Sequence, residues 1–132
     1  MNCKRCGEDI DKHEVGRDTD ACVAEVVMGY YKVHFDEDDN ELLYKSVPTR
    51  HQYHFVQHFS ADIAAAWKVR EKLGEKGYSL RIDVDCDGDA CECAFIREIP
   101  RTAGAGWEVH ETEEICKPPL AICLAALKAK SA

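Results

Sequence analysis

The sequence lacks long hydrophobic segments. No apolar run among its 132 residues reaches the roughly 18–20 residues that a membrane-spanning helix needs. The first thirteen residues, MNCKRCGEDIDKH, contain no apolar stretch of the kind found in a signal peptide. Internal repeats and low-complexity tracts are also missing. These absences predict one cytoplasmic domain over residues 1–132, in which residues 1–15 form a polar lead segment.

Positive charge is scarce as well. The formal net charge is −8, and no run of five or more basic residues offsets it. This balance opposes attraction to a phosphate backbone, so we expect no binding to duplex nucleic acid and no membrane contact. A small anionic ligand remains compatible with the composition, because a pocket needs only a few local cations.

Familiar catalytic motifs are missing too. The chain has no Gly-x-Ser-x-Gly elbow, no Walker loop, no HExxH and no dinucleotide-binding glycine pattern. With eight cysteines and six histidines, nucleophile–base pairs are expected by chance, and no local signature selects one. We therefore predict that the protein is not an enzyme.

Three helices are predicted. The best marked has Ser60 as its N-cap and Gly77 at its end in a left-handed conformation. Another runs from about residue 18 to 30, with Asp20 and Glu25 off its apolar stripe. The last begins after Pro118-Pro119 and is apolar almost all round, which is typical of a buried helix.

The strand predictions centre on a hairpin over Tyr78–Ile99. A two-residue turn at Asp87-Gly88 would pair Cys86 with Asp89. The same register pairs apolar residues on one face, so a slip of one residue would mix the faces; the pairs are Val84 with Cys91, Ile82 with Cys93, and Leu80 with Phe95. A further hairpin over residues 31–46 and a strand from Trp107 complete an α+β, three-layer sandwich with a mainly antiparallel sheet flanked by helices.

Two parts of the chain resemble the phage ABA sandwich family of small phage and prophage proteins. They are the helix–hairpin segment over residues 59–93 and the C-terminal PLAICLAALKA. A family pattern near the start is matched by Gly16, Arg17, Asp20, Val23, Ala24, Glu25, Met28 and Gly29. The resemblance implies the same sandwich architecture and a bacterial host cytoplasm. It implies no chemistry, because the matching residues belong to the core and the caps.

Cysteine is the abundant residue with metal-binding chemistry. Cys3 and Cys6, followed by Gly7, form a CxxC that is typical of half a zinc knuckle. The remaining ligands would come from His13 or from three later cysteines, although the hairpin register turns those cysteines toward the core; they are Cys86, Cys91 and Cys93. Three other cysteines, Cys22, Cys116 and Cys123, are interpreted as buried core thiols. No cofactor is required, and zinc is the metal to consider.

The acidic run DVDCDGD, residues 83–89, offers a calcium alternative. It matches the first half of a calcium loop, with carboxylates at positions one, three and five and glycine at six. Position twelve is Ala94 where a bidentate glutamate is needed, and the flanks are typical of strands. The Asp-Gly hairpin turn explains these residues without a metal.

A cationic and aromatic cluster precedes the central helix. An arginine of this cluster can bind a phosphate, and a tyrosine can stack on a base. The predicted ligand-binding residues are Arg50, His51, Tyr53, His54 and His58, with Arg17 as a further cation. The alternative interpretation is an exposed loop that packs its aromatic side chains on the domain.

The sequence is compatible with three hypotheses about function. The first hypothesis is a non-enzymatic phage accessory protein that acts by binding, as a counter-defence protein that sequesters a host nucleotide signal. The second is a zinc-stabilised protein-interaction adaptor. The third is a structural or regulatory phage protein that binds another protein. Under all three we expect a homo-oligomer, because Trp67, Trp107 and the apolar last helix exceed what a small sandwich covers.

Overall fold

The structure is a computed structural model, and it describes residues 1–84, 91–99, 106–112 and 116–132. In these residues a 3₁₀ turn precedes three α-helices and six β-strands, in agreement with the α+β prediction. The order is the 3₁₀ turn (Ile10–Lys12), α1 (Arg17–Cys22) continuing into a π-helical turn (Val23–Val27), β1 (Tyr31–Asp36), β2 (Glu41–Lys45), β3 (His54–Phe55), α2 (Ile63–Gly74), β4 (Ser79–Val84), β5 (Cys91–Ile99), β6 (Gly106–Glu111) and α3 (Pro118–Ser131).

The strands form two antiparallel sheets of three strands each, with orders β1-β2-β3 and β4-β5-β6. The predicted β4–β5 register is confirmed, since Val84 pairs with Cys91 and Leu80 with Phe95. The short strand β3 was not predicted, because it has only two residues. The predicted Asp87-Gly88 turn, the Cys86–Asp89 pair and most of the proposed calcium loop lie outside the described residues.

Helix α3 lies at the centre of the molecule. It packs against α2, against β5 and β6, and against the π-helical turn. Residues 121–129 of α3 are all buried, as the nearly uniform apolar pattern predicted. Cys91 and Cys93 on β5 are 0% and 1% exposed, so they do turn to the core. Among the described residues no helix has the length and apolar content to cross a membrane.

The first predicted helix is confirmed in position, but one of its faces was misassigned. Asp20 was predicted to lie off the buried stripe, yet it is only 1% exposed. Its carboxylate contacts Arg17 Nη1 at 2.7 Å and accepts hydrogen bonds from the N–H and hydroxyl of Ser60, at 2.8 and 2.7 Å. A buried carboxylate needs such partners, and they come partly from a residue forty positions away.

The same contacts correct the predicted N-cap of α2. Ser60 bonds to Asp20 and Gly16, and the N-cap of α2 is Asp62, whose side chain accepts from the N–H of Ala64. The other end follows the prediction. Gly77 has φ +88°, its N–H bonds to Gly74 O, and the N–H of Tyr78 reaches Leu73 O at 3.2 Å. This pair of bonds is the Schellman pattern that favours glycine.

The lead segment is packed onto the domain. Ile10 is fully buried in the main core. The carboxylate of Asp11 lies 2.6 Å from Lys128 Nζ on α3, and both side chains are about nine-tenths buried. The same ammonium donates to Glu111 O at 2.8 Å. Residues 10–12 are therefore held against α3 by both apolar and ionic contacts, and the same lysine joins α3 to β6.

Candidate metal centre

The site begins with a tight turn around the CxxC. The N–H of Gly7 donates to Cys3 O at 2.9 Å, and the N–H of Cys3 donates to Glu8 O at 2.8 Å. Gly7 has φ +78°, a left-handed conformation that glycine adopts at little cost. This turn brings the Cys3 and Cys6 side chains onto one side of the segment, which is the arrangement that two thiolates need to bind one ion.

His13 completes the lead segment's contribution. It follows the 3₁₀ turn, and its side chain is buried. Nδ1 lies 3.2 Å from the carbonyl oxygens of both Asp9 and Ile10, so Nδ1 carries the proton and donates it. Nε2 then presents a lone pair toward Cys6 Sγ, 3.3 Å away. Fixing the tautomer through a backbone carbonyl is what metal-binding histidines commonly require.

Cys22, the last residue of α1, supplies a fourth atom. The ligand atoms of Cys3, Cys6, His13 and Cys22 all lie within 4.8 Å of one another. Burial, followed by the neighbouring Cys3 thiol, raises the pKa of Cys22 to about 12. Without a cation the thiol is therefore protonated, and a bound metal would displace that proton. Arg5 Nη1, at 3.9 Å from Cys22 Sγ, is a neighbouring positive group.

The ligand set fits zinc. Zn–S bonds near 2.3 Å and Zn–N bonds near 2.0–2.1 Å place tetrahedral ligand atoms roughly 3.4–3.8 Å apart. The observed limit of 4.8 Å is about 1 Å wider, which small side-chain rotations can close. Three thiolates and one imidazole are a typical structural zinc set, and four protein ligands leave no open position for a reacting water. The arrangement can stabilise structure.

The structure brings the predicted Cys3 and Cys6 together with His13, which was one of the ligands considered. It adds Cys22, which was assigned to the core. Cys22 and Cys123 are indeed buried, but Cys116 is only half-buried. The sequence did contain a signal for the fourth ligand, because the four residues form one series, Cys-x2-Cys-x6-His-x8-Cys, within the first 22 positions.

Arg17 was predicted as a further cation for a ligand, a role that stays a prediction, and its guanidinium makes several contacts within the fold. It contacts the Asp20 carboxylate at 2.7 Å and the Glu41 carboxylate at 3.2 Å. It also donates to the carbonyl of Val56 at 2.8 Å. These contacts tie α1 to β2 and to the segment after β3.

The other predicted ligand residues lie along residues 50–58. His54 is half-buried in β3, and the rest are exposed: Arg50, His51, Tyr53 and His58. The Tyr53 ring lies edge-on to His34, with centroids 5.2 Å apart, and Lys45 Nζ lies 4.9 Å from its centroid. A ligand role for these residues stays a prediction.

A second titratable cluster joins β5, β6 and Tyr78, the residue immediately before β4. The Tyr78 hydroxyl donates to Glu108, and Arg97 contacts the same carboxylate at 3.1 Å. Burial first, and then the Glu108 bond, raise the pKa of Tyr78 to about 12. The Tyr78 hydrogen bond in turn holds the pKa of Glu108 below its usual value. No pattern in the sequence indicated this cluster, because its members come together through strand pairing.

The fold and the cysteine-rich turn together define a small α+β sandwich with a cysteine-rich lead segment, in which four side chains could hold a metal ion. The model of the phage ABA sandwich domain matches residues 21–127. The chain therefore belongs to this family, as the resemblance in the sequence indicated. Cys3, Cys6 and His13 precede the matched residues, and Cys22 lies just within them.

One solved structure supports the fold. A phage protein from Bacillus cereus is similar over 89% of this chain and 94% of its own length, with a TM-score of 0.57 and 21% sequence identity. At this identity the likeness concerns the fold alone. No curated protein matches the chain.

Proposed function

We propose that this phage accessory protein works without catalysis, as a zinc-stabilised module that binds another protein. The observation that carries the proposal is the convergence of three thiols and one imidazole within 4.8 Å. A closed set of four ligands is suited to holding a segment in place. That segment lies before the residues shared with the family, where a property particular to this chain is expected.

The surface beside the cluster supports a protein partner. A groove of about 370 Å³ runs along the lead segment and the start of α1. It is lined by residues of the candidate metal centre and by side chains of both charges, including Arg5, Lys12, Glu8 and Asp18. Val15, 51% exposed, adds apolar surface at its edge. Mixed charge around a small apolar contact suits a peptide better than a polyanion.

We also propose self-association. Trp67 and Trp107 are 41% and 66% exposed. Aromatic residues are enriched at protein interfaces, and a symmetric dimer buries the same surface on both subunits.

Native mass spectrometry of protein purified from zinc-supplied bacterial cells tests this function. The expected result is a homo-oligomer with one zinc per chain. EDTA should remove the zinc and raise hydrogen exchange in residues 3–13, while α3 stays protected. A partner captured from the host should be retained by the zinc-loaded protein and lost after chelation. A chain that takes up no zinc when zinc is in excess would overturn the proposal.

A second candidate is binding of a nucleotide at the β1–β2–β3 sheet. The observation that favours it is Lys45, which is 5% exposed and whose ammonium lies over the Tyr53 ring. No carboxylate among the described residues forms an ion pair with it, so a ligand phosphate would supply the missing charge. Phe55, 65% exposed, offers a further ring for a base.

The nucleotide candidate has its own test. Native mass spectra should show a nucleotide-sized extra mass, which should be absent from Lys45→Met. Arg50→Ala should weaken nucleotide binding by about 1–3 kcal/mol, the scale of one charge-assisted hydrogen bond. Lys76→Met, on the surface beside Gly77, is the matched control. Spectra without such a mass, or variants that bind as the wild type does, would exclude this candidate.

A further inference from the structure

The three thiols of the cluster differ sharply in exposure. Cys6 is exposed, whereas Cys3 and Cys22 are 3% and 1% exposed. Of the seven cysteines that the structure describes, only Cys6 is exposed. Cys6 and Cys22 both line the open groove beside the lead segment, and Cys6 is the exposed one of the two, so we expect a small solute in water to reach Cys6 first.

We propose that Cys6 is a peroxide-sensitive thiol whose oxidation releases the metal from this site. The inference rests on the proposed zinc site and adds its regulation. Two features set Cys6 apart from an ordinary surface thiol. Two further sulfur atoms, on Cys3 and Cys22, lie within 4.8 Å, and the imidazole nitrogen of His13 lies 3.3 Å away. Metal binding keeps such thiols in the thiolate form that reacts with peroxide.

The chemistry balances with hydrogen peroxide as the oxidant. The Cys6 thiolate attacks one peroxide oxygen, so that an S–O bond forms, the O–O bond breaks and hydroxide leaves; the product is a sulfenic acid. A second thiolate, from Cys3 or Cys22, attacks the Cys6 sulfur. An S–S bond forms, the S–O bond breaks and a second hydroxide leaves. Two sulfurs are oxidised, one peroxide is reduced, and two protons from solvent convert both hydroxides to water.

A disulfide removes two of the four ligands, and the remaining pair cannot retain zinc tightly. The lead segment stays attached all the same. The burial of Ile10 and the contact of Asp11 with Lys128 involve no cysteine, so we expect both to persist. We therefore expect the oxidised chain to remain folded, and reduction with added zinc to restore the site.

The test exposes the zinc-loaded full chain to hydrogen peroxide. A chromogenic chelator reports free zinc, a thiol reagent reports remaining thiols, and peptide mass spectrometry maps disulfides. We expect one zinc released for every two thiols lost, with Cys6 in the disulfides formed. Cys123 is fully buried and Cys93 nearly so, and both should stay reduced. Dithiothreitol and zinc should return the starting state.

Variants sharpen the result. With zinc in excess, Cys6→Ser should lose thiols to peroxide roughly tenfold more slowly than the wild type, because its remaining ligand thiols are buried; this readout does not depend on how tightly the variant holds zinc. Cys123→Ala should release it at the wild-type rate. A loaded wild-type protein that keeps its zinc, or that loses it while Cys6 stays reduced, overturns the inference alone. A wild-type protein that binds no zinc at the outset overturns the proposed site as well.

Discussion

Replacing Cys22 with alanine should abolish tight zinc binding, while replacing Cys123 with alanine should leave zinc binding intact. The two positions are closely matched. Both side chains are thiols on helices, and they are 1% and 0% exposed. Each substitution removes one buried sulfur from the core, so the loss of packing is similar. The difference lies in what the sulfur contacts, because the cluster includes Cys22 and excludes Cys123.

The magnitude follows from the number of ligands. Structural zinc sites contribute about 10–16 kcal/mol of binding free energy, which is roughly 2.5–4 kcal/mol for each of four ligands. Since 1.4 kcal/mol corresponds to a factor of ten, Cys22→Ala should weaken zinc binding roughly 100- to 1,000-fold. In a competition assay with a chromogenic chelator, the Cys123→Ala protein should titrate as the wild type does.

The Cys22→Ala and Cys123→Ala proteins should also differ in how much zinc raises their free energy of unfolding. A ligand that binds the folded state alone stabilises it, by about 4 kcal/mol at a thousand times its dissociation constant. Wild-type and Cys123→Ala proteins should therefore gain several kcal/mol in urea denaturation when zinc replaces EDTA. Cys22→Ala should gain little. If Cys22→Ala bound zinc with wild-type affinity, Cys22 would be the ordinary core thiol that the sequence indicated.

Three other residues give stability predictions. Asp20→Ala should lower the free energy of unfolding in urea by about 3–5 kcal/mol, because it leaves buried donors without an acceptor; an unchanged midpoint would contradict this. Tyr78 confers stability below pH 10 that is lost between pH 10 and its folded pKa of about 12, since the unfolded tyrosine ionises first. In denaturation curves measured at alkaline pH, Tyr78→Phe should not show this decrease of about 2–3 kcal/mol in the free energy of unfolding. Lys128→Met should increase hydrogen exchange in residues 9–13, because it removes the ammonium that Asp11 contacts; unchanged exchange would show that this ion pair does not hold the segment.

The parts of the fold that were predicted well depend on neighbouring residues. The β4–β5 register follows from strict alternation, since shifting the pairing by one residue would expose Cys93 and Phe95. Gly77 ends α2 as expected, because the left-handed conformation is a local requirement. The buried character of α3 follows from an apolar pattern that leaves no polar face.

The errors arose where distant residues meet. Ser60 has the chemistry of an N-cap, but a buried carboxylate on α1 attracts its hydroxyl, and Asp62 caps the helix instead. Asp20 was read as a surface residue, because a single sequence does not show that Ser60 and Arg17 converge on it.

Part of the candidate site was likewise predictable from neighbouring residues, and part depended on distant ones. The CxxC, the glycine after it and the nearby histidine were visible in the sequence, because turn geometry and ligand chemistry are local properties. That Cys22 faces them was decided by packing. Ile10 enters the core and α1 lies against the lead segment, so a thiol nine residues beyond His13 meets the other three ligands. Sequence determined which atoms can bind a metal, and the tertiary structure decided which of them meet, because burial of the whole apolar surface sets the path of the chain.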